Sequence, residues 1–592
     1  MRNPTIRMIA HEVNTGACTA EQIAQKTLER AAAYHSVQPE AWISRVPDEK
    51  ILAQARHIDQ RVAAGESLPL AGVPIAVKDN IDVTGLQTTA GCPDFAYTAP
   101  ASAHVIERLL AAGAIVMGKT NLDQFATGLV GTRSPYGSPA CVFNREYVSG
   151  GSSSGSAVLV AAGVVPLALG TDTAGSGRVP AAFNNLVGFK PTRGRWSTRG
   201  VVPACRSLDC VSAFTVDVED AALVDSILTD FDRLDPYARR SPGSLSSFEA
   251  AHFRFGIPRA GQLHSLAPQD AAAFSAAVQR LHEAGGAAIE VDVAPLLEAA
   301  RLLYGGPWVA ERTAALEPLL KTRPTAIHPI VRAIVETGKG VSAVDTFRGL
   351  YALQEYARVA EELWDRIDVL VLPTTPTIYR RSEVLAEPIA LNAHLGLYTN
   401  FVNLLDMSAI SVPAGFRENG TGVGVSLIGP AWADKSLISL AERYTRVTDM
   451  PKAPELDRTP RPSLVHLAVV GAHLSGMPLN WQLTSRNARL VRVTRTAPLY
   501  RLYAMADQTP PKPALVHTGA GGSSIEIEIY ELDIGAFGSL VAEVPAPLAI
   551  GTVLPEDGTA VRGFVAEPRA LTGASDITTY GGWRAYLASR AT

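Results

Sequence analysis

Two serine-rich loops and one lysine are the residues of this chain whose types and spacing could do chemistry. Ser149-Gly150-Gly151-Ser152-Ser153-Ser154-Gly155-Ser156 forms the first loop, and Gly170-Thr171-Asp172-Thr173-Ala174-Gly175-Ser176-Gly177-Arg178 the second. Upstream stands Lys78, in Val77-Lys78-Asp79-Asn80. A Gly/Ser run is also the composition of a flexible linker, so the first loop alone decides nothing. Here apolar residues 157–163 and 164–169 separate the two loops, which places both in a folded core. Packed serines beside a lysine, with no obvious histidine partner, point to a serine nucleophile that does not use imidazole. A hydroxyl is a weak nucleophile until a base takes its proton. Lysine can be that base only where its ammonium form is disfavoured, and desolvation achieves this. The apolar run 73–77 leads directly into Lys78.

The elements that must position these residues read as an α/β core. From about residue 70 to 215, short apolar strands alternate with Gly-rich loops and small-residue helices. Before it, Thr19 to His35 reads as a helix, with Thr19 as N-cap and Gln22 three residues on. After it, residues 269–320 and 340–366 carry helical patterns, and 368–373 and 409–413 read as buried strands ending at prolines. Asp449 to Ser463 holds four prolines among charged residues, the signature of an extended linker. Beyond it the pattern turns β-rich, and Asp557-Gly558 reads as a hairpin turn. The expected division is a large domain over 1–455, a linker over 456–463 and a small β-rich α+β domain over 464–592.

One motif is rejected. Residues 113–120, from Gly113 to Gly118-Lys119-Thr120, match the phosphate-binding loop pattern. A true phosphate loop follows a strand and opens a helix. Here Gly113 caps a helix and residues 114–117 read as a strand through the middle of the motif, which cannot wrap a phosphate.

The 592 residues are 47% hydrophobic and 19% charged, with a net charge of −4 and both signs well mixed, which gives no electrostatic footprint for nucleic acid or an anionic membrane. Five scattered cysteines, none in a CxxC pair, support neither a disulfide framework nor a zinc site and read as reduced thiols of a cytoplasmic protein. No continuous apolar run marks a secretory leader or a membrane span. Asn419-Gly420-Thr421 reads as a turn rather than a glycosylated sequon, and none of the twelve histidines sits in an HExxH pattern, so no metal is expected.

Taken in order, Lys78, the two serine loops, Gly118-Lys119-Thr120-Asn121, Gly188-Phe189-Lys190-Pro191-Thr192 and Val412-Pro413-Ala414-Gly415 closely resemble the amidase signature family. The resemblance extends over about residues 20–445. The separations of 74 residues from Lys78 to Ser152 and 24 from Ser152 to Ser176 are those of the family pattern. It implies a mixed central sheet covered by helices, and a Ser-cisSer-Lys triad in which Ser176 is the nucleophile, Ser152 the bridge and Lys78 the base. It also implies an oxyanion hole from the backbone of Thr173, Ala174 and Gly175. Asp172 and Arg178 read as loop anchors.

Within that family three details resemble allophanate hydrolases. The nucleophile loop carries Ala174 where Gly is commoner. Tyr304 and Arg312, in Tyr304-Gly305-Gly306-Pro307-Trp308-Val309-Ala310-Glu311-Arg312, are similar to the residues that hold the substrate there. The C-terminal extension, with His473 in Gly471-Ala472-His473-Leu474, resembles their extra domain, which is similar in fold to γ-glutamyl cyclotransferases. The resemblance implies hydrolysis of allophanate to ammonia and carbon dioxide through N-carboxycarbamate in urea degradation, with no cofactor. It further implies coupling to a biotin-dependent urea carboxylase and a homodimer. A general small-molecule amidase of the same family is the alternative, and a non-enzymatic scaffold that binds through its C-terminal domain is the alternative from another class.

Overall fold

The computed structural model describes residues 5–242, 252–447, 453–458, 464–486, 488–506 and 508–591. The chain gathers into two compact units, Met1–Thr459 and Pro460–Thr592. Among the described residues no helix is long and apolar enough to cross a membrane.

The first unit is built on an eleven-stranded mixed sheet. Its strands in chain order are β1 (Trp42–Arg45), β2 (Pro74–Lys78), β3 (Ile115–Thr120), β4 (Leu167–Asp172), β5 (Val187–Lys190) and β6 (Cys210–Thr215), then β7 (Phe253–Pro258), β8 (Gly286–Val291), β9 (Val369–Pro373), β10 (Ser408–Phe416) and β11 (Gly422–Gly429). Across the sheet they lie in the order β1-β3-β2-β4-β6-β5-β10-β11-β9-β7-β8. β2 runs parallel to both β3 and β4, while β6, β5, β10 and β11 continue antiparallel.

Every residue of β2, β3, β4 and β6 is buried. Strands covered on both faces need continuous apolar runs rather than alternation, and Ile75, Val77, Leu167, Leu169 and Phe214 supply them at no exposure. Helix Ser154–Ala161 is apolar on all sides and wholly sunk against this sheet except at its last residue, as a helix without a polar face must be.

Helix Ala20–His35 begins at Thr19 with a reciprocal capping box to Gln22. The rejected phosphate-loop motif is a helix end, Gly113 in the left-handed region at φ +101°, and then β3. Asn419-Gly420 turns the β10–β11 hairpin, with Gly420 at φ +83°. The run 269–320 is not all helix, because β8 interrupts it and pairs in parallel with β7. β10 does not end at Pro413: a register shift between Pro413 and Gly415 lets the strand pass the missing N–H and run on to Phe416. Of the proline-rich stretch 449–463, residues 453–458 are pinned to the first unit, where the Asp457 N–H donates to Val142 O at 2.9 Å and its carboxylate pairs with Arg145 at 2.8 Å. The rest of that stretch lies outside the described residues.

The second unit carries a five-stranded sheet in the order Arg489–Arg495, Glu526–Asp533, Leu464–Val469, Val561–Ala566, Leu548–Val553. Ile525, Ile527 and Ile529 alternate into its core with Leu467, Tyr500 and Trp583. The Asp557-Gly558 turn joins its last two strands in an antiparallel hairpin.

Candidate active site

Because β2 and β4 are parallel neighbours, with Val77 opposite Leu169, their carboxyl ends emerge at one sheet edge. Loops at the carboxyl ends of parallel strands are where α/β sheets place ligands. Lys78 closes β2 there, and Thr171 stands near the end of β4. The Lys78 Nζ donates to Ser152 Oγ and to Thr171 Oγ1, both at 2.7 Å. Lys78 is fully buried, and burial pushes its ammonium down to about 7, against the pull of Asp123, Asp209 and Asp172. This lysine therefore exchanges its proton near neutrality.

Ser152 is reached through a cis Gly151–Ser152 peptide on the turn that leads into helix Ser154–Ala161. Its carbonyl accepts the Asp123 N–H at 3.1 Å. The Asp123 carboxylate collects the N–H groups of Val130, Gly131 and Arg133 at 3.2, 2.9 and 2.9 Å. The packing is close enough that a Cβ on Gly151 would lie 2.1 Å from Asp123 Oδ2 and 2.7 Å from Gly131 N.

The second serine loop turns directly from β4 into helix Arg178–Phe183. Asp172 organises it. One carboxylate oxygen accepts the Gly175 N–H at 2.8 Å, the other the Gly177 N–H at 3.1 Å, and Arg178 pairs with both oxygens at 2.9 Å. This buried fork matches the loop-anchor reading of both residues. Ser176 is nearly buried, and its hydroxyl makes one long contact, 3.5 Å to Gly128 O. No hydrogen bond joins Ser152 to Ser176 among the described residues. Of the three expected oxyanion donors, the Gly175 N–H is already committed to Asp172. The N–H groups of Thr173, Ala174 and Ser176 carry no partner among the described residues and remain open.

Tyr304 and Arg312 come together on successive helices, Ala294–Gly305 and Trp308–Thr322, with the guanidinium carbon 5.4 Å from the ring centre. Arg312 is 2% exposed, its Nη1 donates to Thr127 Oγ1 at 3.1 Å, and its Nε has no partner. No carboxylate pairs with it among the described residues. Thr127 is the residue before Gly128, the contact of Ser176, so the guanidinium lies one residue's reach from the second serine loop. Tyr304 also lines an open cleft of about 600 Å³ with Asn400, whose buried Oδ1 is unpartnered.

His473 lies in the second unit. It lines a cavity of about 250 Å³ with Gln482, Lys512 and Glu543. Its Nε2 meets Gln482 Oε1 at 2.8 Å, its ring stacks on Phe564, and burial lowers its basicity. With Gln482 Oε1 accepting, Nε2 carries the proton and Nδ1 keeps the lone pair.

Four residues around the first site have no local signal in the sequence. Asp123 binds the loop between the serines, as above. Thr127 joins two cations, because its carbonyl accepts Arg133 Nη1 at 2.9 Å while its hydroxyl accepts Arg312. Arg133 is buried without a carboxylate partner among the described residues. Asp209 accepts the Thr173 hydroxyl at 2.5 Å and the N–H groups of Ala204 and Cys205, and burial pushes its carboxyl up to about 6.

Comparison with known proteins accords with this arrangement. A model of the amidase family matches residues 22–438, and one of the allophanate hydrolase C-terminal domain matches residues 465–588. A urea amidolyase of Saccharomyces cerevisiae is 44% identical over 96% of this chain, which spans about a third (32%) of that protein. The solved structure of a Kluyveromyces lactis allophanate hydrolase aligns with a TM-score of 0.67 at 42% identity, covering 96% of this chain and 97% of that one. One component of the glutamyl-tRNA(Gln) amidotransferase of Symbiobacterium thermophilum is 37% identical over 73% of this chain and 94% of its own length. A lysine and two serine loops at one sheet edge, inside a match that covers most of the chain, leave one assignment: this chain belongs to the amidase family.

Proposed function

We propose that the chain hydrolyses allophanate, a small ureido carboxylate, through a serine acyl-enzyme. Neutral Lys78 takes a proton from Ser152 as Ser152 takes one from Ser176, and Ser176 Oγ attacks the terminal amide carbonyl. This step requires the Ser176 hydroxyl to leave its 3.5 Å contact with Gly128 O and turn to Ser152. Catalytic hydrogen bonds are commonly long before substrate is bound. The oxyanion that forms is met by the open N–H groups of Thr173, Ala174 and Ser176, donors of a kind worth roughly 3–4 kcal/mol where one has been removed. The proton returns through Ser152 to the leaving nitrogen, ammonia departs, and water attacks the acyl-serine with the same lysine as base. The product is N-carboxycarbamate, which gives ammonia and carbon dioxide on decarboxylation and hydrolysis.

The observation that carries the choice of substrate is Arg312, a buried guanidinium with an unpartnered Nε and no carboxylate within ion-pair distance among the described residues. A buried charge normally has its counter-ion within the fold. Here the carboxylate of the substrate completes the pair, in the planar two-point geometry that a guanidinium offers, and the Tyr304 hydroxyl bonds the ureido group. Two relatives named for urea amidolysis and allophanate hydrolysis support the reading. We assign the protein to the cytoplasm and to urea breakdown, alongside a biotin-dependent urea carboxylase, and read His473 as the principal polar group of a second-unit site for the first product.

The test compares allophanate with biuret, its neutral amide, and with malonamide. Allophanate should be preferred by at least about 100-fold in kcat/KM, and Arg312→Met should erase that preference, since loss of a charge-assisted pair is worth about 3 kcal/mol. Equal rates on all three substrates in the native enzyme would leave a general small-amide hydrolase instead.

A further inference from the structure

One buried polar side chain beside the hydrolytic site has no role in the steps above. Asn400 is 8% exposed, and its Oδ1 is sealed from water without a hydrogen-bond partner. Native folds rarely keep a buried acceptor unpaired unless something other than the fold uses it. Asn400 opens the short helix Asn400–Leu404. The residue before it, Thr399, is packed on the second serine loop: its hydroxyl donates to Ala174 O at 2.7 Å, and its carbonyl accepts Arg178 Nη2 at 3.3 Å. Asn400 also shares the wall of the open cleft of about 600 Å³ with Tyr304, whose ring centre lies 5.4 Å from the Arg312 guanidinium carbon. The amide is therefore tied on one side to the loop that carries Ser176 and on the other to the tyrosine–arginine pair.

Gly396 keeps a place for this amide. Its φ of −83° is open to every residue, so the backbone there does not call for glycine. A Cβ at this position would lie 2.6 Å from both Oδ1 and Nδ2 of Asn400. The missing side chain at 396 is what lets the Asn400 amide stand where it does, with its oxygen unspent.

We propose that Asn400 determines specificity by accepting, at Oδ1, the bridging N–H of allophanate, the hydrogen between the carboxylate held by Arg312 and the carbonyl attacked by Ser176. The inference rests on the substrate reading above and deepens it. A carboxamide oxygen accepts a hydrogen bond without bringing a charge beside the substrate anion. A site built to bind an N–H rejects the analogue that lacks it, because its own buried group is then left unpaired.

The experiment uses malonamate, the monoamide of malonic acid, in which CH2 replaces that NH while the carboxylate, the terminal amide and the chain length are kept. Steady-state kcat/KM is measured on allophanate and malonamate with the full chain and two variants, and comparison with the native enzyme cancels the different reactivity of the two carbonyls. Asn400→Leu, close in volume, should lower kcat/KM on allophanate about 10- to 100-fold more than on malonamate. Gly396→Ala retains Asn400 but pushes its amide aside, and should shift the preference in the same direction. Circular dichroism and the remaining malonamate turnover report the fold of each variant. Equal losses on both substrates in the two variants, or no loss on either, overturn the role of Asn400 and leave the choice of allophanate standing, because that choice is read from biuret and Arg312→Met. A native enzyme that turns over biuret as fast as allophanate overturns both.

Discussion

The burial of Lys78 makes the stability of the fold depend on pH. Its ammonium is held down to about 7 by desolvation, from an ordinary value of 10.5, and the unfolded chain keeps the ordinary value. Between pH 7 and 10.5 the unfolded state therefore binds one proton more than the folded state, so the native fold gains stability as pH rises through that window. The gain approaches about 1.4 kcal/mol per pH unit once folded Lys78 is deprotonated, and amounts to about 2.3 kcal/mol between pH 7, where the folded lysine is half protonated, and pH 9. Lys78→Met keeps most of the side-chain volume and removes the titration. It also leaves the Ser152 and Thr171 hydroxyls without their 2.7 Å partner, a cost of about 1–3 kcal/mol each that does not vary with pH. The absolute stability difference mixes both effects, but its change with pH isolates the first. Urea unfolding of the native and Lys78→Met chains at pH 7, 8 and 9 should show the variant losing about 2.3 kcal/mol relative to the native protein across the range. The native kcat/KM should rise through an apparent pKa near 7 to a plateau. A stability gap constant to within about 0.5 kcal/mol would refute the argument, because it would mean that Lys78 titrates alike folded and unfolded.

Asp209 braces the second serine loop through Thr173 without facing the reacting atoms. Asp209→Ala should lower kcat by about tenfold to 100-fold with KM little changed, the signature of displaced oxyanion donors rather than lost binding; an unchanged kcat would free Thr173 of any positioning role. Gly175 sits at φ +124°, where a Cβ would meet Thr399 Oγ1 at 2.4 Å. Gly175→Ala should cost about 3 kcal/mol of stability in thermal or urea unfolding, and a melting temperature within a degree of native would contradict the close approach described here.

Much of this site is legible before any fold is known. Lys78, Ser152 and Ser176 announce themselves because each lies in a short run of fixed residue types, and the separations between runs are large and specific. The rejected phosphate loop shows the same logic in reverse: the letters match, but the helix-then-strand order around Gly113 forbids the geometry, and β3 runs through the motif. The residues that escape notice act at a distance. Asp123 serves N–H groups seven to ten residues on, and Thr127 receives Arg312 from 185 residues away. The strand β8, hidden in an alanine-rich run that reads as helix, exists because β7 offers it a parallel edge.

Residue types and their order are sufficient, by themselves, for an α/β core, a β-rich second part and a candidate serine–lysine chemistry; the anion-binding arginine is implied only by the family resemblance. They act locally, through capping, apolar runs and turn residues, and local rules read well from a string. Three things depend on the tertiary structure. The parallel pairing of β2 with β4 puts Lys78 against Thr171 and Ser152 and strips it of water, which brings its ammonium down to about 7. The Asp172 fork removes the Gly175 N–H from the expected oxyanion hole and leaves its neighbours open. The burial of Arg312, with its Nε unpartnered and no carboxylate within ion-pair distance among the described residues, is likewise a product of packing and is what the proposed carboxylate-binding role rests on. In each case the deciding quantity is access to water, which belongs to the packed fold and not to any residue alone.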